Sequence, residues 1–283
     1  MIKTVLFGAG QIGQITSRLL SSEYQVLCFA DNYEGKWGQT AAGIPILSPA
    51  DALAMNPDLI VLCVLDEERQ QQMSAQLRDL GYTGTLSDPS SQRTFDARAA
   101  VMRLLAKQII DRQIPGDTAE LGVFRGEFSA LIQAALPDRT IHLFDTFEGF
   151  TEKDVLYETE GRLSRAKTGD FSNTSVQQVL HRLPLPENAV IHKGWFPDTF
   201  PPDPDLQFSL VSLDADLYAP TKAALPLFYR QLSPGGVLLI HDVYSTQFSG
   251  CRKAVDEFCE ERKLLPCPVS DLHGSAILIK PLL

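Results

Sequence analysis

The chain has 283 residues, 44% of them hydrophobic and 21% charged, with a formal net charge of −10. That length suits one large domain or two ordinary ones, and the composition is that of a globular protein. Residues 1–88 carry five basic and ten acidic side chains, and residues 89–283 twenty and twenty-five. Neither part offers the clustered Lys and Arg that sequence-independent nucleic-acid binding requires.

The first strand is read at residues 2–7, an apolar run followed at once by GAGQIG at 8–13, so the N-terminus is a strand and not a signal peptide. A helix follows in QITSRLLSS, and a second strand, YQVLCFAD, ends at Asp31. Ser48 then caps a short helix with Pro just inside it, DLIVLCVL is a third strand, and EERQQQMSAQLRDLG is a helix closed by Gly81. The longest unbroken apolar run, LIVLCVL, is too short to span a bilayer. Residues 97–113 form a long amphipathic helix, broken by IPG at 114–116. A second strand–helix alternation follows through TAEL, EFSALIQAAL, RTIHLFD, SVQQVLHRL, AVIHKG, FSLVSLD, TKAALPLFYRQL (interrupted by Pro226), VLLIHD and GCRKAVDEFCEERKL. The chain closes with CPVS and SAILIK as an antiparallel pair. Alternating strands and helices imply parallel sheets, so the expected architecture is α/β with two doubly wound domains, 1–90 and 114–283, joined by a helix within 91–113. The five cysteines, Cys28, Cys63, Cys251, Cys259 and Cys267, show no CxxC pair and no zinc spacing. They read as reduced thiols of a cytoplasmic protein, Cys28 and Cys63 in the core.

Ligands of open α/β sheets bind at the carboxyl ends of the strands. In the second series those ends carry Glu120, with Gly122 and Gly126 just beyond; Asp145; His192, Lys193 and Gly194; Asp214 and Asp216; and His241 with Asp242. Acids recur at four of five ends, which points to one shared site. The turn ELGVFRG lacks the Lys-Ser/Thr pair of a phosphate-gripping loop. Asp145, twenty-five residues after Glu120, stands where an acid accepts hydrogen bonds from ribose hydroxyls. A glycine turn without a phosphate grip, with a ribose acid, suits a nucleoside lacking a pyrophosphate. In LDADLY the two aspartates face one way if the strand persists, and buried carboxylates need a metal, a cation or water.

The segments ELGVFRGEFS, FDTFEGF, GDF, GWFPDTFP, LDADLY, TKAAL, LSPGGVLLIHDVY and GCRKAVDEF, in that order over about 114–262, resemble the macrocin O-methyltransferase family. The resemblance implies a class I S-adenosylmethionine-dependent fold and methylation of a sugar or vicinal-diol hydroxyl, assisted by a divalent metal such as Mg²⁺ or Mn²⁺. It implies that Glu120, Gly122 and Asp145 hold the cofactor, with Gly126 in the same turn. Asp214 and the pair at 241–242 fall at metal-ligand positions, and Asp216 at that of a general base, against a structural hydrogen-bonding role. The family usually has Asp-Asp where this chain has His241-Asp242. An imidazole suits Mn, Fe, Zn or Ni better than Mg²⁺. His241 is therefore read as ligand to a softer metal, as a base or orienter, or as a sign of weakened metal dependence. His142 reads as packed, His181 and His273 as surface or loop residues, and His192 stays open. The polar stretch 151–175, with Tyr157, Arg162, Arg165, Lys167 and Phe171, is expected to form a lid, with an ordinary exposed insertion as the alternative. Trp195 and Phe196 either stack on a sugar or belong to the core.

GAGQIG matches G-x-G-x-x-G between a strand and a helix, and Asp31 follows Gly10 by twenty-one residues. Gly8, Gly10, Gly13 and Asp31 thus outline a nucleotide or NAD(P) site. The segment also resembles small Rossmann-like modules with the pattern GAGxxG, Asp31-Asn32 and Gly43-Ile44-Pro45-Ile46, for which docking or substrate presentation is the alternative role. The rivals to a methyltransferase are an NAD(P)-dependent oxidoreductase using this turn and a non-catalytic sugar-nucleotide-binding protein. The expected partner is a small sugar-containing molecule, with no nucleic acid and no membrane; a homo-oligomer is compatible with the pattern.

Overall fold

In the computed structural model, which describes residues 1–20, 24–87, 96–271 and 273–282, the chain divides into two units, Met1–Asp96 and Ala97–Leu283. The first unit contains β1 (Ile2–Phe7), α1 (Gln11–Leu19), β2 (Tyr24–Ala30), β3 (Thr40–Ala41), β4 (Ile44–Leu47), α2 (Pro49–Ala54), β5 (Leu59–Leu62), α3 (Glu67–Asp79) and β6 (Thr85–Ser87). The sheet order is β3-β4-β2-β1-β5-β6, parallel except for the β3–β4 pair. Successive side chains on β1 point to opposite faces. Val5 and Phe7 accordingly pack with Cys28, Ile60 and Leu77, while Leu6 packs with Phe29, Val61 and Cys63. Ser48 and Asp66 cap α2 and α3 by accepting the backbone N–H of the third residue on. Gly81, with φ +86°, ends α3 as expected.

The second unit contains α4 (Ala97–Asp111), β7 (Asp117–Leu121), α5 (Glu127–Ala135), β8 (Ile141–Asp145), α6 (Glu152–Glu160), α7 (Val176–Arg182), β9 (Ala189–Lys193), β10 (Phe208–Leu213), α8 (Tyr218–Gln231), β11 (Leu232–Ile240), α9 (Ser249–Arg262), β12 (Cys267–Pro268) and β13 (Ala276–Ile279). The sheet runs β12-β13-β11-β10-β7-β8-β9. Strands β7 to β11 are mutually parallel; β13 runs antiparallel to both β11 and β12. The final antiparallel pair is thus where the sequence placed it. Every residue of β10 is buried, as in a sheet covered by helices on both faces.

Two local expectations change. The helix read as a joining element packs within the second unit: Met102, Leu105, Ala106 and Ile109 share a core with Ile132, Ile141 and Leu143. Its apolar stripe has a partner there, which a solvent-bridging helix would lack. Pro226 does not interrupt α8, which runs through it to Gln231. Proline removes one intrahelical hydrogen bond, but Leu225 and Phe228 on either side are fully buried and hold the helix to the core.

Candidate active site

The second sheet changes direction of winding between β7 and β10, and the turns that leave these two strands meet at that point. Gly122, at φ +84°, lets them meet: a Cβ there would lie 1.9 Å from the carbonyl oxygen of Asp214. The amide of Asp214 in turn donates to Leu121 O at 2.8 Å. Above this seam opens a cavity of about 320 Å³, the size range of ligand pockets. Its walls carry Asp145, Asp154, Asp214, Asp216, His241, Asp242 and His273 among the aromatic rings of Phe124, Phe150, Phe171, Trp195 and Phe248.

Asp145 organises the glycine turn. Its Oδ2 accepts the N–H groups of Val123 (2.8 Å) and Phe124 (2.9 Å), and its Oδ1 accepts that of Phe147 at 2.7 Å. Asp214 is held from two sides. Arg98 Nη1 donates to Oδ2 at 2.8 Å, and His241 Nδ1 lies 2.7 Å from Oδ1 and 2.8 Å from Asp242 Oδ2. Burial alone would raise the Asp214 carboxyl; the charges of His241 and Arg98 outweigh it and hold the group far below the usual carboxylate range. The His241 imidazole is pushed up to about 10, because the Asp214 and Asp242 carboxylates overcome a burial that would lower it. Asp216 shifts the other way, well above an ordinary carboxyl, through burial and the nearby charges of Asp214 and Asp242. Asp216 (φ +58°) and Asp242 (φ +57°) both sit in the left-handed region, a conformation that non-glycine residues keep only where surrounding structure enforces it. Ligand atoms of Asp214, His241 and Asp242 all lie within 4.8 Å of one another, close enough to share one ion.

The structure moves other expected residues away. Glu120 is 1% exposed and lies outside the cavity wall. Strand alternation turns it to the face opposite Leu121, where it accepts hydrogen bonds from Ser129 and from Ser212 (3.2 Å). Burial raises its carboxyl to about 8 against the opposing Arg98 charge. Gly126 is likewise absent from the wall. It caps α5 at φ +76°, and a Cβ there would press on Val179. Phe196 is core, stacked on Phe228, and also reaches the cavity wall; Trp195 lines the cavity beside it and donates its indole N–H to Asp154 Oδ1 at 3.1 Å.

Three site residues escaped the sequence reading. Arg98 reaches Asp214 from α4. Its spacing to Met102 and Leu105, four and seven residues, puts it on that helix's apolar stripe, and a lone arginine there was the available signal. His273, read as a loop residue, lines the cavity with its ring 4.7 Å from that of His241. Asp154 came from a stretch without visible pattern, yet it belongs to a capping box with Thr151 that starts α6. His142 is buried as expected, its ring nitrogens 3.0 Å from His192 Nε2 and 3.1 Å from Asp117.

In the first unit, Gly8 (φ +117°) makes the turn after β1, Gly10 precedes α1, and a Cβ on Gly13 would lie 1.9 Å from Gly8 O. Asp31 is 8% exposed and fully engaged. Its Oδ2 accepts Ala9 N (2.9 Å) and Lys36 Nζ (2.8 Å), and its Oδ1 accepts Tyr33 N at 2.9 Å.

The second unit is thus an α/β fold of the class I methyltransferase type with an acid-lined cavity at the carboxyl ends of its strands. The chain belongs to the macrocin-O-methyltransferase (TylF) family, whose model matches residues 62–280; a second model, described as C2185-like, N-terminal, matches residues 1–85. The chain is 33% identical over 157 residues to mycinamicin III 3''-O-methyltransferase of Micromonospora griseorubida, covering 51% of this chain and 61% of that protein. It is 31% identical over 174 residues to the 8-demethyl-8-(2,3-dimethoxy-alpha-L-rhamnosyl)-tetracenomycin-C 4'-O-methyltransferase of Streptomyces olivaceus, covering 58% and 65%. The chain therefore spans a little under two thirds of the length of these curated relatives. Among solved structures, the O-methyltransferase NovP matches at 26% identity and a TM-score of 0.54, over 65% of this chain and 80% of that one. The calicheamicin methyltransferase CalS11 matches the fold at 20% identity and a TM-score of 0.54, over 76% and 87%. Among the described residues, no helix is long and apolar enough to cross a membrane.

Proposed function

We propose that the protein is an S-adenosylmethionine-dependent O-methyltransferase acting on a hydroxyl of a sugar or other vicinal diol. The observation that carries this reading is the convergence of Asp145, Asp214, Asp216, His241 and Asp242 on one cavity at the winding reversal of a methyltransferase-type sheet. Membership of the family, and the printed activities of the relatives, support the choice of sugar hydroxyls. S-adenosylmethionine would supply an electrophilic methyl group on a sulfonium. An acid-lined wall favours such a cation, and Asp145 beside the glycine turn is the acid for its ribose. The donor set of two carboxylates and one imidazole also fits a divalent cation, with the nitrogen favouring Mn, Fe or Zn over Mg²⁺. Asp214, His241 and Asp242 would hold it once His241 gives up the proton it shares with the two carboxylates, and such an ion would lower the pKa of a bound hydroxyl.

The chain's own residues prepare the rest. Arg98 fixes the Asp214 carboxylate through Oδ2, leaving Oδ1 for the cation or, without one, for His241. Asp216, made more basic by burial and by its carboxylate neighbours, is suited to take the proton of the attacking hydroxyl. Phe150, Phe171 and Phe248 line the cavity with apolar surface that would limit water at the transfer. Titration calorimetry with S-adenosylmethionine tests the cofactor reading directly, and the absence of heat at millimolar ligand ends it. Asp214→Asn should then abolish methyl transfer from labelled S-adenosylmethionine to a panel of glycosides while cofactor affinity stays within about threefold of wild type, since that residue acts on the acceptor side. Full transfer by this variant would remove Asp214 from the mechanism.

A further inference from the structure

The lid expected at 151–175 carries one buried carboxylate that the chemistry above does not use. On α6, Leu156 is 57% and Tyr157 48% exposed, yet Glu158 is 1% exposed. A carboxylate leaves water only for strong partners. Here Glu158 Oε1 accepts the backbone N–H of Tyr218 at 2.8 Å. Tyr218 is the first residue of α8, and its N-cap, Leu217, has no side chain able to accept a hydrogen bond. The first N–H groups of a helix need acceptors, and an anion there is further favoured by the helix dipole. Glu158 therefore caps α8 from a different element, sixty residues away in the chain. Tyr157 adds a parallel ring stack on Tyr218, centroids 5.7 Å apart. The far end of the lid is tied down separately. Ser164 bridges to Phe248, and Ser249 donates both N–H (2.9 Å) and Oγ (2.7 Å) to Leu163 O.

Asp216 and Leu217, both in the cavity wall, immediately precede the capped residue, and Asp216 is held at φ +58°. We propose that Glu158 is a positioning residue: it latches the lid helix α6 onto the start of α8 and so holds Asp216 and Leu217 in the cavity wall. The latch itself needs no ligand; only its effect on cofactor residence rests on the proposed function.

Hydrogen–deuterium exchange on the full chain tests it. Glu158→Ala should speed exchange in peptides spanning 152–163 and 217–221 about tenfold, the worth of a lost helix cap, with β8 and β10 unchanged. Glu158→Gln keeps one acceptor oxygen and should restore protection to within about threefold. In stopped flow, S-adenosylhomocysteine should leave the Ala variant about fivefold faster than wild type and leave the Gln variant at close to the wild-type rate. Unchanged lid exchange in the Ala variant overturns the latch. So does a Gln variant as unprotected as Ala, or equal loss of protection in β8 and β10, which would make Glu158 a general scaffold residue. Lid exchange as expected, with no binding of S-adenosylhomocysteine, leaves the latch standing and removes the cofactor reading.

Discussion

The two units repeat one device and finish it differently. In each, an aspartate at the end of the second strand accepts one or two N–H groups from the glycine turn after the first strand and another from two residues beyond itself. Asp31 does this with Ala9 and Tyr33, and Asp145 with Val123, Phe124 and Phe147. In the first unit the device is closed, because Lys36 neutralises Asp31 at 2.8 Å. In the second, Asp145 has no basic partner among the described residues and faces a cavity. A glycine turn with a downstream acid is therefore first a way of folding a β–α–β unit, with the acid satisfying the turn's amides. It becomes a candidate ligand site where charge is left uncompensated beside a hollow.

The sharpest break in the comparison is steric. Gly122→Ala places a methyl group 1.9 Å from a backbone oxygen at positive φ. It should cost the second unit more than about 4 kcal/mol in calorimetric unfolding, while Gly10→Ala, with no atom within 4 Å and φ −80°, should cost less than about 1 kcal/mol. Equal losses would mean that Gly10 is under a constraint that its open surroundings do not show; in the first turn the tight position is Gly13. Next comes the acid. Asp145→Asn should weaken S-adenosylmethionine about tenfold in titration calorimetry through one weakened charged hydrogen bond, and Asp31→Asn should leave affinity within about twofold. A matching loss from Asp31→Asn would erase the distinction between open and closed turns.

The smallest effect concerns acid stability. All five histidines lie in the second unit and none in the first. Burial, with the neighbouring His142, lowers the His192 imidazole to about 4. Between the unfolded value near 6.5 and that folded value, the unfolded chain binds more protons, so stability is intact above about pH 6.5 and declines as pH falls toward 4. His192→Phe should remove this part of the decline. The difference in melting temperature between variant and wild type should change by a few degrees from pH 7 to pH 5, and a constant difference would show that His192 titrates normally.

Much of the site was legible because strand ends are legible. Apolar runs that stop at an acid place Asp145, Asp214 and Asp242 at the carboxyl edge of a parallel sheet, and all three line one cavity. Glu120 obeyed the same rule but stayed out, since alternation along β7 sent it toward Ser129 and Ser212. His273 gave no usable signal; its loop precedes β13, and only the pairing of β13 with β11 carries it beside His241. Glu158 gave none either, being one acid among several on a polar helix until Tyr218 supplies an unpaired amide.

The amino-acid order by itself determined the alternation of strands and helices, the two glycine turns and the acids that end the strands, because these depend on residue period and on local backbone freedom. Tertiary structure alone decided which acids face a common hollow and which are neutralised across the fold, pairing Asp214 with Arg98 and His241, and Glu158 with the first amide of α8. The physical reason is range. Periodicity acts over a few residues, whereas charge compensation in a buried site joins groups separated by as many as 116 positions in the chain.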